Sequence, residues 1–149
     1  MKFMTVATFA LSLAAAPVMA DGHATGDAAE GENVFKKCKS CHMIEAADGT
    51  AIQKGGKTGP NLYGIYQRTP GAYEGYTKYG KSLAAVGETG VIADGWDEAN
   101  FVEYVADPKK WLARVLDDKK AKSKMQFKLK KAEDAANLWA YLVSVGPSS

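Results

Sequence analysis

The chain has few of the residues that build most protein metal sites, since its 149 residues include only two cysteines and two histidines. A zinc ion held by protein takes four ligands, and the available set is Cys38, Cys41, His42 and the distant His23. Cys41 and His42 are adjacent in sequence, which places them badly around one tetrahedral ion. A structural zinc site is therefore disfavoured.

Long apolar runs and sustained β alternation are also lacking. The uncharged, largely apolar run at residues 3–17 is shorter than the roughly 20 residues that a helix needs to span a bilayer. No internal repeat is present, whereas apolar residues recur at helical spacing in several segments. The sequence therefore predicts an all-α domain of several helices joined by long loops.

The N-terminus has the three parts of an export signal. A basic Lys2 precedes the apolar run, and Val18-Met19-Ala20 is a cleavage site with small flanking residues. We predict that residues 1–20 are a secretory signal peptide cleaved after Ala20, and an uncleaved membrane anchor is the alternative. The remainder, residues 21–149, has the length of a single domain. Its first residues, 21–26, are short and polar and are predicted to be a loose leader.

Four helices are predicted from capping residues and apolar spacing. Their predicted start positions are Asp27, Asp97, Pro108 and Lys131. Glu30, three residues after the first of these, completes the sequence pattern of a capping box. The segment 45–68 has turn-forming glycines and no helical periodicity, and we predict a long loop there. Residues 70–95 are also rich in glycine and small polar residues, and no helix is predicted in them although Tyr73, Tyr76 and Tyr79 recur at a spacing of three.

Both cysteines lie in one short stretch, Cys38-Lys39-Ser40-Cys41-His42. This spacing matches the Cys-x-x-Cys-His pattern of c-type haem attachment. On a helical turn both thiols share one face and can form thioethers with haem vinyl groups, while His42 directs its ring at the iron. A thioredoxin-like pair is disfavoured because the flanks are helical, and a chance pair of packed cysteines is the remaining alternative. We predict one covalently bound haem c with His42 as an iron ligand.

The second axial ligand follows by elimination among methionine, histidine and cysteine. Three of the five methionines leave with the predicted signal peptide: Met1, Met4 and Met19. His23 lies in the predicted leader, and Met43 is held beside His42 on the wrong side of its ring. Met125 remains, in a polar, basic loop where a core-filling methionine is not expected. We therefore predict that Met125 ligates the iron.

These motifs, in this order along the chain, resemble the class I c-type cytochromes, most closely the alphaproteobacterial cytochrome c2 and c-550 group. The resemblance covers nearly all of the chain after the signal peptide. It implies the class I cytochrome c fold, with several helices and long loops wrapped around one covalently attached haem. It implies a soluble periplasmic electron carrier and not an enzyme, since both axial positions are filled. A five-coordinate haem protein that binds or reduces a small ligand, or a haem subunit of a larger oxidoreductase, is the alternative.

The resemblance also implies roles for side chains around the haem. The carbonyl of Pro60 would accept the second ring proton of the axial histidine. Trp96, Arg68 and Tyr79 would be neighbours of the haem propionates, and Tyr104 would face the haem near the methionine sulfur. One departure concerns the loop before the methionine, residues 116–122, which is longer than in mitochondrial members and lacks their Pro-Gly pair.

Charge is unevenly distributed along the chain, whose formal net charge is +2. Residues 88–107 contain six acids and no base, whereas residues 109–131 contain ten bases and two acids. Two groups of lysines flank the haem motif and the methionine: Lys36, Lys37, Lys39, Lys122, Lys124 and Lys128. We predict that they form a docking surface for acidic faces of redox partners, and an ordinary solvated surface is the alternative. The resemblance implies a bc1-type reductase, a terminal oxidase or a photosynthetic reaction centre as partner, a monomer, and no binding to nucleic acid or embedding in a membrane.

Overall fold

The computed structural model describes residues 23–147, and the predicted signal peptide at residues 1–20 lies outside them. The described part contains five helices and one short antiparallel hairpin, so the prediction of an all-α domain is confirmed. The helices are α1 Ala28–Phe35, α2 Lys81–Thr89, α3 Glu98–Ala106, α4 Pro108–Val115 and α5 Ala132–Ser144; the strands are β1 Ile44–Glu45 and β2 Ala51–Gln53. Within residues 23–147, no helix combines the length and the apolar character that a membrane crossing requires.

The first helix begins at its predicted cap, Asp27, but the second hydrogen bond of the predicted capping box is made with another residue. The Asp27 carboxylate accepts a hydrogen bond from the backbone N–H of Glu30 at 3.0 Å, as the capping pattern predicts. The backbone N–H of Asp27 donates to Asn137 Oδ1 of α5 at 2.8 Å, so the Glu30 side chain does not serve as the second half of a capping box. The start of α1 is thereby fixed to α5.

Helices α1 and α5 cross at very close range. A Cβ atom at Gly31 would lie 1.9 Å from the backbone oxygen of Asn137 and 2.7 Å from Cβ of Tyr141, so only glycine fits there. One turn later the fully buried ring of Phe35 packs beside Tyr141, with the ring centroids 6.2 Å apart. This crossing places the end of α1, and the haem motif that follows it, against the core.

Helices α3 and α4 meet at a single residue, Asp107. Its backbone N–H donates to the carbonyl of Glu103 and ends α3, while its carboxylate accepts from the N–H of Lys110 at 3.1 Å and caps α4. Pro108 occupies the first position of α4, where a missing N–H costs nothing. The sequence predictions for this corner are confirmed.

The segment 70–95 is not entirely loop, because it contains α2. The prediction was wrong there because Val86 is the only fully buried residue of this helix and its first residues have no side-chain cap. Gly87 lies inside the helix, where a Cβ atom would meet the carbonyl oxygen of Pro70 at 2.5 Å. Tertiary contact with the preceding loop therefore outweighs the low helix propensity of glycine.

The segment after the predicted signal peptide is docked rather than loose from residue 23 onward. The indole N–H of Trp139 donates to the carbonyl of His23 at 2.8 Å, and the hydroxyl of Thr25 donates to Glu98 at 2.6 Å. Gly26 lies directly against the α5 backbone, since a Cβ atom there would meet Ala136 at 2.3 Å. We refer to residues 23–26 as the N-terminal strap. The short, polar composition of the strap predicted a loose leader. That prediction was wrong because the residues that hold the strap lie in α3 and α5, which are remote in sequence.

Candidate haem-binding site

A largely apolar cavity of about 590 Å³ lies among the described residues. Its volume is within the roughly 300–1,000 Å³ that is usual for small-molecule sites. All nine predicted site residues contribute to its wall: Cys38, Cys41, His42, Pro60, Arg68, Tyr79, Trp96, Tyr104 and Met125. Tertiary folding thus brings together residues that are far apart in sequence.

The two cysteines lie on turns that continue from the end of α1. The backbone N–H of Cys38 donates to the carbonyl of Phe35 at 2.8 Å, and that of His42 donates to the carbonyl of Cys38 at 2.9 Å. Cys38 is half-buried, and burial raises the pKa of its thiol to about 11. Cys41 is exposed at the cavity wall, and hydrogen bonds from Thr58 and then Ser40 lower the pKa of its thiol. The two sulfurs lie at the same cavity and are not joined in a disulfide.

The ring of His42 is oriented by the loop that carries Pro60. Nδ1 lies 2.8 Å from the carbonyl oxygen of Pro60, so Nδ1 carries the proton that it donates and Nε2 keeps a free lone pair. Burial lowers the pKa of His42, opposed by the hydrogen bond to Pro60. A neutral imidazole with a free Nε2 is the form that binds a metal ion.

Three glycines of the segment 45–68, which was predicted to be a loop, also position this histidine. A Cβ atom at Gly59 would lie 2.3 Å from Cε1 of the His42 ring, and one at Gly55 would lie 1.9 Å from the His42 carbonyl oxygen. Gly56 similarly packs against the backbone of Ser40. In the sequence, Gly55-Gly56 and Gly59-Pro60 indicate only that the chain turns closely here. Their contact with His42 and its neighbours becomes visible only in the fold.

Met125 reaches the cavity from an extended segment between Ala121 and Leu129. Its side chain is half-buried, and the hydroxyl of Ser123 donates to its carbonyl oxygen at 2.9 Å. The rejected candidates lie elsewhere in the structure. Met43 does not line the cavity, and Nδ1 of His23 is 2.9 Å from the hydroxyl of Tyr66.

Arg68 contributes a half-buried cation to the cavity wall. Its guanidinium lies over the ring of Tyr73 at 4.7 Å and donates to the carbonyl of Tyr63 at 3.2 Å. Among residues 23–147 it makes no ion pair, and burial lowers its pKa. Tyr79 lies close enough to influence this charge, and burial raises the pKa of its own hydroxyl. An unpaired, half-buried cation favours a ligand with a negative group at this point.

Stacked aromatic rings form the wall near the methionine. Trp96 lies 5.1 Å from both Trp111 and Tyr104, measured between ring centroids. Burial raises the pKa of Tyr104 to about 12, opposed by a hydrogen bond with Ser123. Tyr104 is therefore a neutral phenol at physiological pH. In the described part of the chain the indole N–H of Trp96 has no hydrogen-bond acceptor.

These side chains fit a haem and do not fit a multi-ligand metal centre. Two cysteine sulfurs, a neutral imidazole and a thioether surround a largely apolar cavity whose wall also contains the half-buried guanidinium of Arg68. No cluster of three or more histidine, cysteine, aspartate or glutamate side chains that could hold a metal ion occurs within residues 23–147. The fold and site define a c-type haem protein.

Comparison with known proteins identifies the family. The family model described as Cytochrome c matches residues 28–146, so the chain belongs to the cytochrome c family. It is 48% identical to cytochrome c-550 of Paracoccus denitrificans, over 100% of this chain and 92% of that protein. It is 51% identical to cytochrome c2 of Rhodobacter capsulatus, over 95% of this chain and 96% of that protein. The crystal structure of cytochrome c2 from Rhodobacter sphaeroides is similar, with a TM-score of 0.79 and 44% identity, covering 84% of this chain and 100% of that one.

Membership of this family settles the cofactor and the class of function. The class I cytochrome c fold and a single covalently attached haem c are confirmed, and Cys38 and Cys41 supply the attachment motif. The chain is an electron carrier and not an enzyme, as the sequence predicts.

Proposed function

We propose that the chain is a periplasmic electron carrier in which His42 and Met125 are the two axial ligands of the haem iron. The observation that carries this proposal is that both side chains line the same cavity as Cys38 and Cys41. When bound, the haem supplies an iron that takes up and releases one electron. A thioether ligand from Met125 would favour the reduced iron and so raise its reduction potential.

The remaining cavity residues hold the cofactor and set its surroundings. Pro60 keeps His42 in the tautomer whose Nε2 is free, a role supported by the 2.8 Å contact between them. Arg68 supplies a positive charge for a propionate, and Trp96 and Tyr79 supply an N–H and an O–H donor beside it. Tyr104 packs near Ser123 and so lies close to the methionine ligand.

Export and processing form part of this proposal. The leader at residues 1–20 is removed after Ala20, and residues 21–149 form the carrier in the periplasm. The intact mass of protein from a periplasmic extract should equal that of the chain from Asp21 plus one haem. A mass that retains residues 1–20 in a membrane fraction would instead indicate an anchored carrier.

The ligand assignment is tested by absorption spectra of the oxidised and reduced protein. Ferric haem with a methionine ligand shows a weak charge-transfer band in the red, and Met125→Leu should abolish it and lower the reduction potential. Met43→Leu is the matched control, since this methionine does not line the cavity, and it should retain the band. A native protein that lacks the band and binds carbon monoxide freely at neutral pH would contradict the proposal and support five-coordinate iron.

Lysines at the cavity mouth support docking to an acidic face of a partner such as a bc1-type reductase, a terminal oxidase or a photosynthetic reaction centre. Lys37, Lys78, Lys122 and Lys124 all contribute to the cavity wall. Two of the lysines predicted to dock are already paired: Lys37 with Asp134 at 2.9 Å and Lys128 with Asp107 at 2.6 Å. Lys122 is exposed and makes no ion pair within residues 23–147. Reversing the charge of Lys122 therefore tests docking without breaking an ion pair within the described chain.

The docking proposal is tested by the rate of electron transfer with a membrane reductase across a series of salt concentrations. With a screening length of about 10 Å at 0.1 M salt, Lys122→Glu should slow the reaction at low salt and have little effect at high salt. Lys130→Glu is the control because Lys130 lies in a groove with residues of α3 and α5. Lys81 would be a less suitable control than Lys130, because it is adjacent to Gly80, which lines the cavity. A rate that is independent of salt, or equally sensitive to Lys130, would contradict specific docking.

A further inference from the structure

The segment that carries Met125 contains neither helix nor strand. We call residues 122–128 the methionine loop. Its neighbours on either side are buried and bonded: the N–H of Ala121 donates to the carbonyl of Asp118, and that of Leu129 donates to the carbonyl of Val105. Between them, no residue of the loop makes a backbone–backbone hydrogen bond to the described chain. The loop therefore depends on side-chain contacts for a fixed position.

Two of those contacts lie inside the loop and cannot anchor it. The hydroxyl of Ser123 donates to the carbonyl of Met125, and the amide of Gln126 donates to the carbonyl of Ser123 at 2.6 Å. Both partners would move together if the loop moved. The Pro-Gly pair that would stiffen the approach to the methionine is also absent from residues 116–122.

Contacts from outside reach both ends of the loop. At its far end the Lys128 ammonium pairs with Asp107 at 2.6 Å, and on the side before Met125 the contacts come from the start of α2 and the residues just before it. The backbone N–H of Lys122 donates to the hydroxyl oxygen of Ser82 at 3.0 Å, and the ammonium of Lys124 donates to the carbonyl of Lys78 at 2.9 Å. Gly80 lies beneath the Lys124 side chain, since a Cβ atom there would be 3.2 Å from its Cγ. Because Ser82 makes no capping hydrogen bond within α2, its hydroxyl oxygen serves the loop.

We propose that Ser82 is a positioning residue that holds the methionine loop closed and so keeps Met125 at the cavity. This inference rests on the proposed function, in which Met125 is an axial ligand. Helix α2, which the sequence did not predict, thus supplies the restraint on the part of the loop that precedes Met125. Its role is to oppose opening of the loop rather than to stabilise the whole fold, because the bond joins two exposed segments.

The test uses the ferric holoprotein and the rate at which imidazole replaces the methionine, followed by loss of the red band. Ser82→Ala removes the hydroxyl without harming the helix and should raise the limiting replacement rate about fivefold, the usual effect of one lost hydrogen bond. Ser82→Thr retains a hydroxyl and should restore a rate near the native one. Thr89→Ala is the matched control at the other end of α2, since that hydroxyl bonds only within its own helix.

The results separate three outcomes. A faster rate in Ser82→Ala with an unchanged rate in Thr89→Ala and an unchanged denaturation midpoint supports the inference. An unchanged rate in Ser82→Ala, or an equal rise in Thr89→Ala, overturns it while leaving the ligand assignment intact. A native protein without the red band overturns the ligand assignment, and this inference fails with it.

Discussion

The α1–α5 crossing and the methionine loop, which carry the two sides of the haem site, are held by different forces. At the crossing, Phe35 is completely buried beside Tyr141, and Gly31 brings the helix backbones into contact. The loop is mostly exposed and is anchored by two hydrogen bonds to the segment around Ser82 and by the ion pair of Lys128 with Asp107. Apolar burial at about 25 cal/mol per Å² far exceeds what exposed hydrogen bonds contribute. We therefore expect the crossing to govern global unfolding and, on the proposed ligation by Met125, the loop to govern release of that ligand.

The largest expected effect comes from adding a side chain at the crossing. Gly31→Val places atoms where Asn137 and Tyr141 already lie, and we expect a loss of about 3 kcal/mol or more in the free energy of unfolding. Denaturant unfolding of the ferric holoprotein measures it. Ala29→Val puts the same side chain on an exposed position of α1 and should cost well under 1 kcal/mol. Equal losses at the two positions would show that the crossing is not close-packed.

A smaller effect is expected where the N-terminal strap joins α5. Trp139→Phe removes the donor to the His23 carbonyl and leaves a small cavity beside Phe101, at a cost of about 2 kcal/mol in unfolding free energy. Hydrogen exchange should become faster at residues 23–27, whose order depends on that contact. The imidazole replacement rate should not change. If it rises as much as in Ser82→Ala, the two regions are not independent and the comparison fails.

The smallest effect concerns the ion pair between Asp107 and Lys128 at the end of the methionine loop. The hydrogen bond from Lys128, followed by the one from the Lys110 N–H, lowers the pKa of Asp107. The pair therefore contributes fully above the unfolded pKa of about 3.9 and is lost as pH falls through the lower folded value.

Asp107→Asn keeps an N-cap for α4 but loses the charge, so native stability should fall more steeply with acid than that of the variant. Denaturation midpoints between about pH 6 and pH 3 measure the difference. Asp94→Asn, at an exposed residue without an ion pair among the described residues, is the control and should follow the native profile. Parallel profiles for native protein and Asp107→Asn would show that solvent fully screens the pair.

Part of this site is predictable from the sequence, because the residues either lie within one short motif or are the only ones of their type that remain available. Cys38, Cys41 and His42 fall within five residues, and only one methionine is left for the second axial position after elimination. Helix starts at Asp27, Asp97 and Pro108 also depend on neighbouring residues alone, and the structure has them where expected. Arg68 and Tyr104, in contrast, were placed by resemblance to a family, since nothing near them in sequence indicates a cavity.

By itself, the sequence determined the attachment motif, the candidate ligands and the helices with strong caps, because those signals lie within one or two turns of chain. Only the tertiary structure decided that residues 23–26 are docked, that α2 forms, and that Ser82 meets Lys122. Each of these depends on a hydrogen bond or a backbone contact between segments remote in sequence. A polar residue has the same local pattern whether its partner is water or a distant backbone group, so only the folded chain distinguishes the two.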